Sequence, residues 1–476
     1  MNLSSNHDVA SEVVEFSEEA DSLKKPETDR PCYALGTRIF ETETTKRVIR
    51  APLALNIVTG YYGYGKTIGV GGYVICKAKG ENNFYLYVNL RELLGTVTLP
   101  QMDVLRLRDV VKAIITILVD KKYPIEILIR NNILDTNIPE IQERFSKVIN
   151  EINSMEVPLA SIISNFLPEI SKKKLYIIID EFEQITSDLS GALTNICNEA
   201  KQLDTALKDH IRIYLLLQEA MVVQPLPGFL EGKSPCESSP AGQGIATLVK
   251  LRGYTTEDYV KIMRQIGIKG NDNVLNNIAK KLGKLPPRLV FSIFYNAKTA
   301  EEVEDALNSL KGVAEELILH PRNKKVKKSI ENFLVELKKN LEEAANVSII
   351  ETRELFGNVR RNVYVHELKF RIQCPTKKHE NMKENAVKLC IDFRENRYSN
   401  LEVLSDCQIR IERDEDGNLL IDGKSLGIDF RLMLAAYSGL RPHIEGLMKL
   451  YEEVRMVTLR YLSSYLRSRL LRRFCE

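Results

Sequence analysis

The run Gly60-Tyr61-Tyr62-Gly63-Tyr64-Gly65-Lys66-Thr67 has the residue types and spacing of a loop that wraps a chain of phosphates. Its glycines let backbone N–H groups close around a β-phosphate, and the start of a following helix adds favourable partial charge. Lys66 is placed to reach the β- and γ-phosphates, and the Thr67 hydroxyl to ligate magnesium. A second acidic element, Asp180-Glu181, follows the apolar run Leu175–Ile179. In a site with a metal-bound polyphosphate, Asp180 holds the metal shell and Glu181 polarises an attacking water.

Such residues need a rigid frame. Four short apolar runs, Pro52–Thr59, Asn83–Leu90, Leu175–Ile179 and Ile211–Leu217, read as buried strands. Helix-period segments at about 66–79, 106–120, 139–167 and 189–209 separate them. Strands alternating with helices predict βαβ units and a doubly wound parallel α/β sheet over 31–250. The loop then falls between strand and helix, as phosphate binding requires. Residues 225–244 are dense in turn formers and read as a long surface loop. Thr255 and Thr256 open a helical region over 251–320, with further helical patterns at about 273–283, 286–297, 300–311 and 323–345.

Together, Gly60–Thr67, Leu175–Glu181 and the helical region resemble the AAA+ P-loop ATPases, in their origin-recognition/Cdc6-like or archaeal STAND-type branches. The resemblance spans about residues 31–320, and the branch rests on softer features such as Tyr87-Val88-Asn89-Leu90-Arg91. It implies an ATPase that uses ATP and Mg2+, with 251–320 as a lid and a homo-oligomeric assembly. Cofactor contacts then fall to Gly60, Gly63, Gly65, Lys66 and Thr67, and metal contacts to Thr67 and Asp180. By the same resemblance Gln218 is the polar sensor near the γ-phosphate, and Arg288 the lid arginine that contacts it. No arginine finger is identified; Arg212 is one candidate.

Composition sets limits on the rest. Of 476 residues, 44% are hydrophobic and 28% charged, a soluble globular balance. Residues 1–30 hold 3 basic and 8 acidic side chains and read as a flexible acidic tail. Residues 321–476 hold 30 Lys and Arg against 23 Asp and Glu, so the basic character lies there. The eight cysteines form no CxxC pair and have no close His partner, which predicts isolated thiols in a reducing, cytoplasmic setting, without a zinc site. His366, His379 and His443 lack ligand spacing. There is no secretory signal and no apolar run of membrane length.

The last third changes pattern and predicts an additional α+β domain. Alternating runs flank the turn Asp414–Asn418, and an amphipathic region runs from about 428 to 474. That region interleaves Arg455, Arg460, Arg467, Arg469, Arg472 and Arg473 with apolar residues, which suits either DNA phosphates or a packing helix. Glu367-Leu368-Lys369 on a strand is a weak nuclease signal, against the simpler reading of a salt-paired strand face. Three roles follow: an ATP-dependent switch or motor on DNA, a STAND-type signalling or defence ATPase with a protein partner, or an ATPase fused to a nuclease-like domain. Tyr61, Tyr62 and Tyr64 either stack on a base or pack locally; packing is the expectation.

Overall fold

The computed structural model describes residues 31–49, 53–60, 63–96, 106–111, 114, 125–138, 157–182, 189–218, 236, 246–283, 285, 287–295, 297–308, 324–342, 347–358, 362–373, 383–394, 402–415, 417–439 and 445–475. The tail 1–30, most of the 225–244 loop, Tyr61, Tyr62, His379 and His443 lie outside the described residues.

A hairpin, β1 (Cys32–Ala34) and β2 (Thr37–Ile39), and helix α1 (Glu43–Ile49) lead into the first sheet. That sheet contains β3 (Leu55–Gly60), β4 (Phe84–Asn89), β5 (Leu134–Thr136), β6 (Leu175–Asp180), β7 (Ile211–Gln218) and β8 (Ala246–Lys250), in the order β5-β4-β6-β7-β3-β8. All neighbours are parallel except β5, an antiparallel edge. The expected all-parallel sheet is therefore mixed at one edge. The reason is local: β5 is three residues long and follows the short helix Ile125–Arg130 through a tight turn, which returns the chain antiparallel.

Period-two alternation sorts the strands' side chains between two cores. Leu175, Ile177 and Ile179 of β6 face one cluster with helices Leu159–Phe166 and Leu189–Leu207. Tyr176 and Ile178 face another with Val74, Ile75 and Ala78 of α2 (Tyr73–Gly80). Two covered faces make the sheet doubly wound. The chain leaves β3 through α2, crosses β7 and β6, and re-enters at β4, so β7 lies between the loop-bearing strand and β6.

Beyond β8 come α3 (Thr256–Gln265), α4 (Asp272–Leu282) and α5 (Pro287–Phe294). Thr255 caps α3 in a reciprocal box with Asp258, whose carboxylate also accepts from Glu43 N (2.8 Å) and Thr44 Oγ1 (2.7 Å). This ties α1 to the helical region.

The C-terminal part opens with α6 (Lys324–Glu342) and forms a sheet in the order β14-β13-β12-β11-β10-β9. Its strands are β9 (Val347–Asn358), β10 (Val363–Ile372), β11 (Lys383–Asp392), β12 (Ile409–Arg413), β13 (Asn418–Ile421) and β14 (Lys424–Asp429). The Asp-Gly hairpin forms as expected: Gly417 takes φ +86° and Asn418 N donates to Asp414 Oδ1 at 2.7 Å. Helices α7 (Phe430–Tyr437) and α8 (Glu445–Cys475) close the chain. Buried residues of α3 to α5 and of the C-terminal elements form one continuous cluster. Within it, α8 packs on α5.

The cysteines differ from expectation. Disulfides join Cys32 to Cys76, Cys197 to Cys236 and Cys390 to Cys407. The partners lie 44, 39 and 17 residues apart in sequence, and only the fold brings their Cα atoms to 6.0, 5.6 and 5.8 Å. Among the described residues no helix is long and apolar enough to cross a membrane.

Candidate functional site

Parallel strands deliver their C-terminal ends to one rim, and the candidate residues meet there. After β3 the backbone turns at Gly63 (φ +79°) and Gly65 (φ +87°), a region that side chains with a Cβ avoid. The chain then enters a wide π-helical turn, Lys66–Gly72, before α2. Any Cβ at Gly69 would collide with the Tyr254 hydroxyl, which packs against the turn and also lies close to Gly65.

Lys66 Nζ donates to Gly60 O at 2.9 Å, spanning the loop. Thr67 Oγ1 donates to Asp180 Oδ2 at 2.6 Å, joining the loop to the end of β6. Tyr87 at the end of β4 donates to the same oxygen at 3.1 Å. Burial, then the charge of Glu181, push the Asp180 carboxyl up to about 6, while Thr67, Lys66 and Tyr87 pull it back. A buried carboxylate held against a threonine hydroxyl is a suitable oxygen pair for a hard divalent cation, which would relieve that penalty. Thr67 and Asp180 therefore fit magnesium.

Glu181 takes φ +53°, uncommon for a residue with a side chain, and its N–H donates to Asp180 Oδ1 at 3.0 Å. Its carboxylate lies 3.9 Å from Arg91 Nη1. Gln218, paired in register with Gly60, is buried, and its Nε2 has no hydrogen-bond partner among the described residues. Arg288 begins α5, where its N–H donates to Gly63 O at 3.0 Å.

These residues share one cleft of about 740 Å³ that Gly63, Gly65, Lys66, Thr67, Asp180 and Glu181 line together with Gln218 and Arg288. Gly60 sits at its base as the acceptor of Lys66. Arg212 does not join them. It is buried at the start of β7, bonded to Ile211 O and Asp209, about 20 Å along the strand from Gln218. Of the loop tyrosines, Tyr64 has its ring edge beside Gly253, where an added Cβ would meet it at 3.9 Å.

Sequence reasoning missed Tyr87 and Arg91, which touch Asp180 and Glu181, and Tyr254, which closes on the loop. The phrase Tyr87–Arg91 does stand out in sequence, but its chemistry depends on the β4–β6 register that pairs Asn89 with Asp180.

No protein-family model matches the sequence, and no curated protein matches it either. Among solved structures, the chain is similar to a Walker-type ATPase of Pyrococcus abyssi (14% identity, 64% of this chain, 81% of that one, TM-score 0.32). A STAND protein with a tetratricopeptide repeat sensor from Pyrococcus horikoshii matches at 13% identity over 64% of this chain and 37% of its own length, TM-score 0.30. A DNA replication initiation factor matches at 12% identity over 91% of this chain and 93% of its own, TM-score 0.26. At these identities and scores the similarities carry no argument, and the site stands on the chain itself: the glycine loop after β3 and the acidic end of β6 meet through the Thr67–Asp180 bond.

Proposed function

We propose that this chain binds ATP with magnesium, hydrolyses it, and uses the cycle as a switch that reaches its C-terminal domain. The observation that carries the reading is the Thr67–Asp180 bond at 2.6 Å, which joins phosphate loop and acidic strand across the β7 strand that bears Gln218. In it, Lys66 leaves Gly60 O for the β- and γ-phosphates. Thr67 and Asp180 would hold magnesium, which would supply charge neutralisation for the phosphates. Glu181 takes the proton of the attacking water, and the Gln218 amide holds that water in line. Residues 251–320 act as the lid, with Arg288 reading the γ-phosphate, and assembly into a homo-oligomer belongs to the same reading.

DNA is the partner class suggested by the charge excess of residues 321–476. Two of the arginines in that excess are engaged within the chain: Arg455 donates to Ala436 O and approaches Glu336 at 3.8 Å, and Arg469 is paired with Asp422, which weakens the DNA reading relative to a protein partner. Glu367 and Lys369 lie on the open face of β10, and Lys369 pairs with Glu384 at 3.1 Å. Among the described residues there is no group of three or more His, Cys, Asp or Glu that could hold a metal ion.

Hydrolysis of ATP by wild type and by Lys66→Ala tests the core reading. The variant should lose nucleotide affinity about 10- to 100-fold, the worth of a charge-assisted bond to phosphate. Magnesium-dependent turnover that survives in it unchanged refutes the assignment. Fluorescence anisotropy of DNA at two salt concentrations, with ATP and with ADP, separates the partners. Salt-sensitive, nucleotide-dependent binding supports DNA, and no binding in any state supports a protein partner.

A further inference from the structure

Helix α8 belongs by sequence to the C-terminal domain, yet one stripe of it faces the nucleotide cleft. Glu452 and Arg460 both line the cleft, eight residues and about 80° apart around the helix. Met456, one turn from each, lies between them, with its Sδ 3.6 Å from Arg288 Nη2. Further along the helix, burial and then the charge of Arg91 lower the Arg467 pKa. Arg91 is in turn the ion-pair partner of Glu181.

The Met456–Arg288 contact anchors the helix at the cleft. At about 1.5 Å per residue, Arg460 lies roughly 6 Å along the helix axis from it. Arg460 therefore lines, with Arg288, the cleft that Lys66, Thr67, Asp180 and Glu181 also line, within which the terminal phosphate of a bound nucleotide would lie. Glu452 lies the other way along the helix.

We infer that Arg460 is a phosphate-sensing residue supplied by the C-terminal domain to the ATP site of its own chain, so that the γ-phosphate, absent from ADP, draws α8 onto the cleft. The inference rests on the ATP-binding reading above. Its physical basis is that only a ligand contact present in one state and missing in the other can shift a conformational equilibrium. Here that contact lies on a helix whose opposite side is packed into the C-terminal core through Val454, Tyr461, Leu462 and Leu466. Movement of α8 therefore moves the C-terminal sheet, with no intervening linker.

The test uses the full chain carrying Glu181→Gln, so that ATP persists, with Arg460 intact, Arg460→Ala or Arg460→Lys, and competition against a fluorescent nucleotide. Arg460→Ala should weaken ATP about 10- to 100-fold and ADP by less than about threefold, with Arg460→Lys between. An equal loss for both nucleotides, or no loss, overturns the sensing role. Hydrogen exchange of the chain with its native Arg460 provides a readout independent of any fold defect in the variants. Amides of α8 should exchange more slowly with ATP than with ADP, and equal exchange overturns the inference. If the Arg460-intact protein binds neither nucleotide better than Lys66→Ala does, the ATP reading itself fails and this inference fails with it.

Discussion

Strands β6 and β10 each carry an acidic residue with a possible catalytic reading, and they place it in opposite surroundings. On β6, Asp180 is buried at the strand's C-terminal end and faces Thr67 of the phosphate loop. On β10, Glu367 and Lys369 lie in mid-strand on the solvent-facing side, with Arg353, Lys388 and Glu384 as cross-strand neighbours. The first carboxylate meets a second element at a sheet rim with a cleft above it. The second meets only the charges of adjacent strands. Chemistry at a strand depends less on residue type than on whether another element converges on it.

The largest effect should come from Glu181. If it takes the water's proton, Glu181→Gln should retain ATP while turnover falls by roughly 10² to 10⁴. Single-turnover hydrolysis at wild-type rate would remove the distinction between the two strands. Arg288→Ala comes next. Its guanidinium is held by α8 and its N–H by the loop, so the variant should weaken ATP by roughly tenfold and ADP much less, as a competition assay would show. Equal losses would make Arg288 a structural link between α5 and the loop.

Much of the β6 site was legible before any fold was known, because a phosphate loop must read Gly-x4-Gly-Lys-Thr whatever surrounds it. The four core strands were legible for a similar reason: a strand buried on both faces has to be continuously apolar. Strands β5 and β8 were not, being three and five residues long at sheet edges, where little apolar pattern is required. The role of α8 was hidden for a deeper reason. Its apolar spacing shows that one side is buried, but periodicity carries no information about which surface the other side meets. The disulfides were hidden likewise, since pairing is a property of spatial proximity.

Protonation offers a third way to sharpen the contrast, because the two strands hold buried groups with opposite shifts. The Asp180 pKa is raised to about 6, from an ordinary value near 3.9. The stability contributed by its protonated form is thus present at low pH and lost as pH rises from about 4 through about 6. His366 on β10 is shifted down, chiefly by burial and also by Lys327, against the pull of Glu354. Its contribution is present above about 6.5 and declines as pH falls below that value, where the unfolded chain takes up a proton first. Nucleotide-free Asp180→Asn should therefore melt a few degrees above wild type at pH 7, with the gap closing near pH 4. A gap that is constant with pH would mean that the Asp180 carboxylate is not held at a cost.

The smallest effect should come from Lys369→Ala. Its partner Glu384 is exposed, and the pair at 3.1 Å stands in water with Arg371 close by at 3.5 Å from the same carboxylate to take over part of the interaction. Exposed pairs of this kind are screened by water and contribute little to stability. The urea unfolding midpoint followed in the C-terminal sheet should not move measurably, and ATP turnover should be unchanged. Incubation with nucleic acid and magnesium or manganese should give no cleavage in either protein. Cleavage by wild type that Lys369→Ala abolishes would reverse the comparison, making the open face of β10 a second active site and its cross-strand ion pairs a resting arrangement.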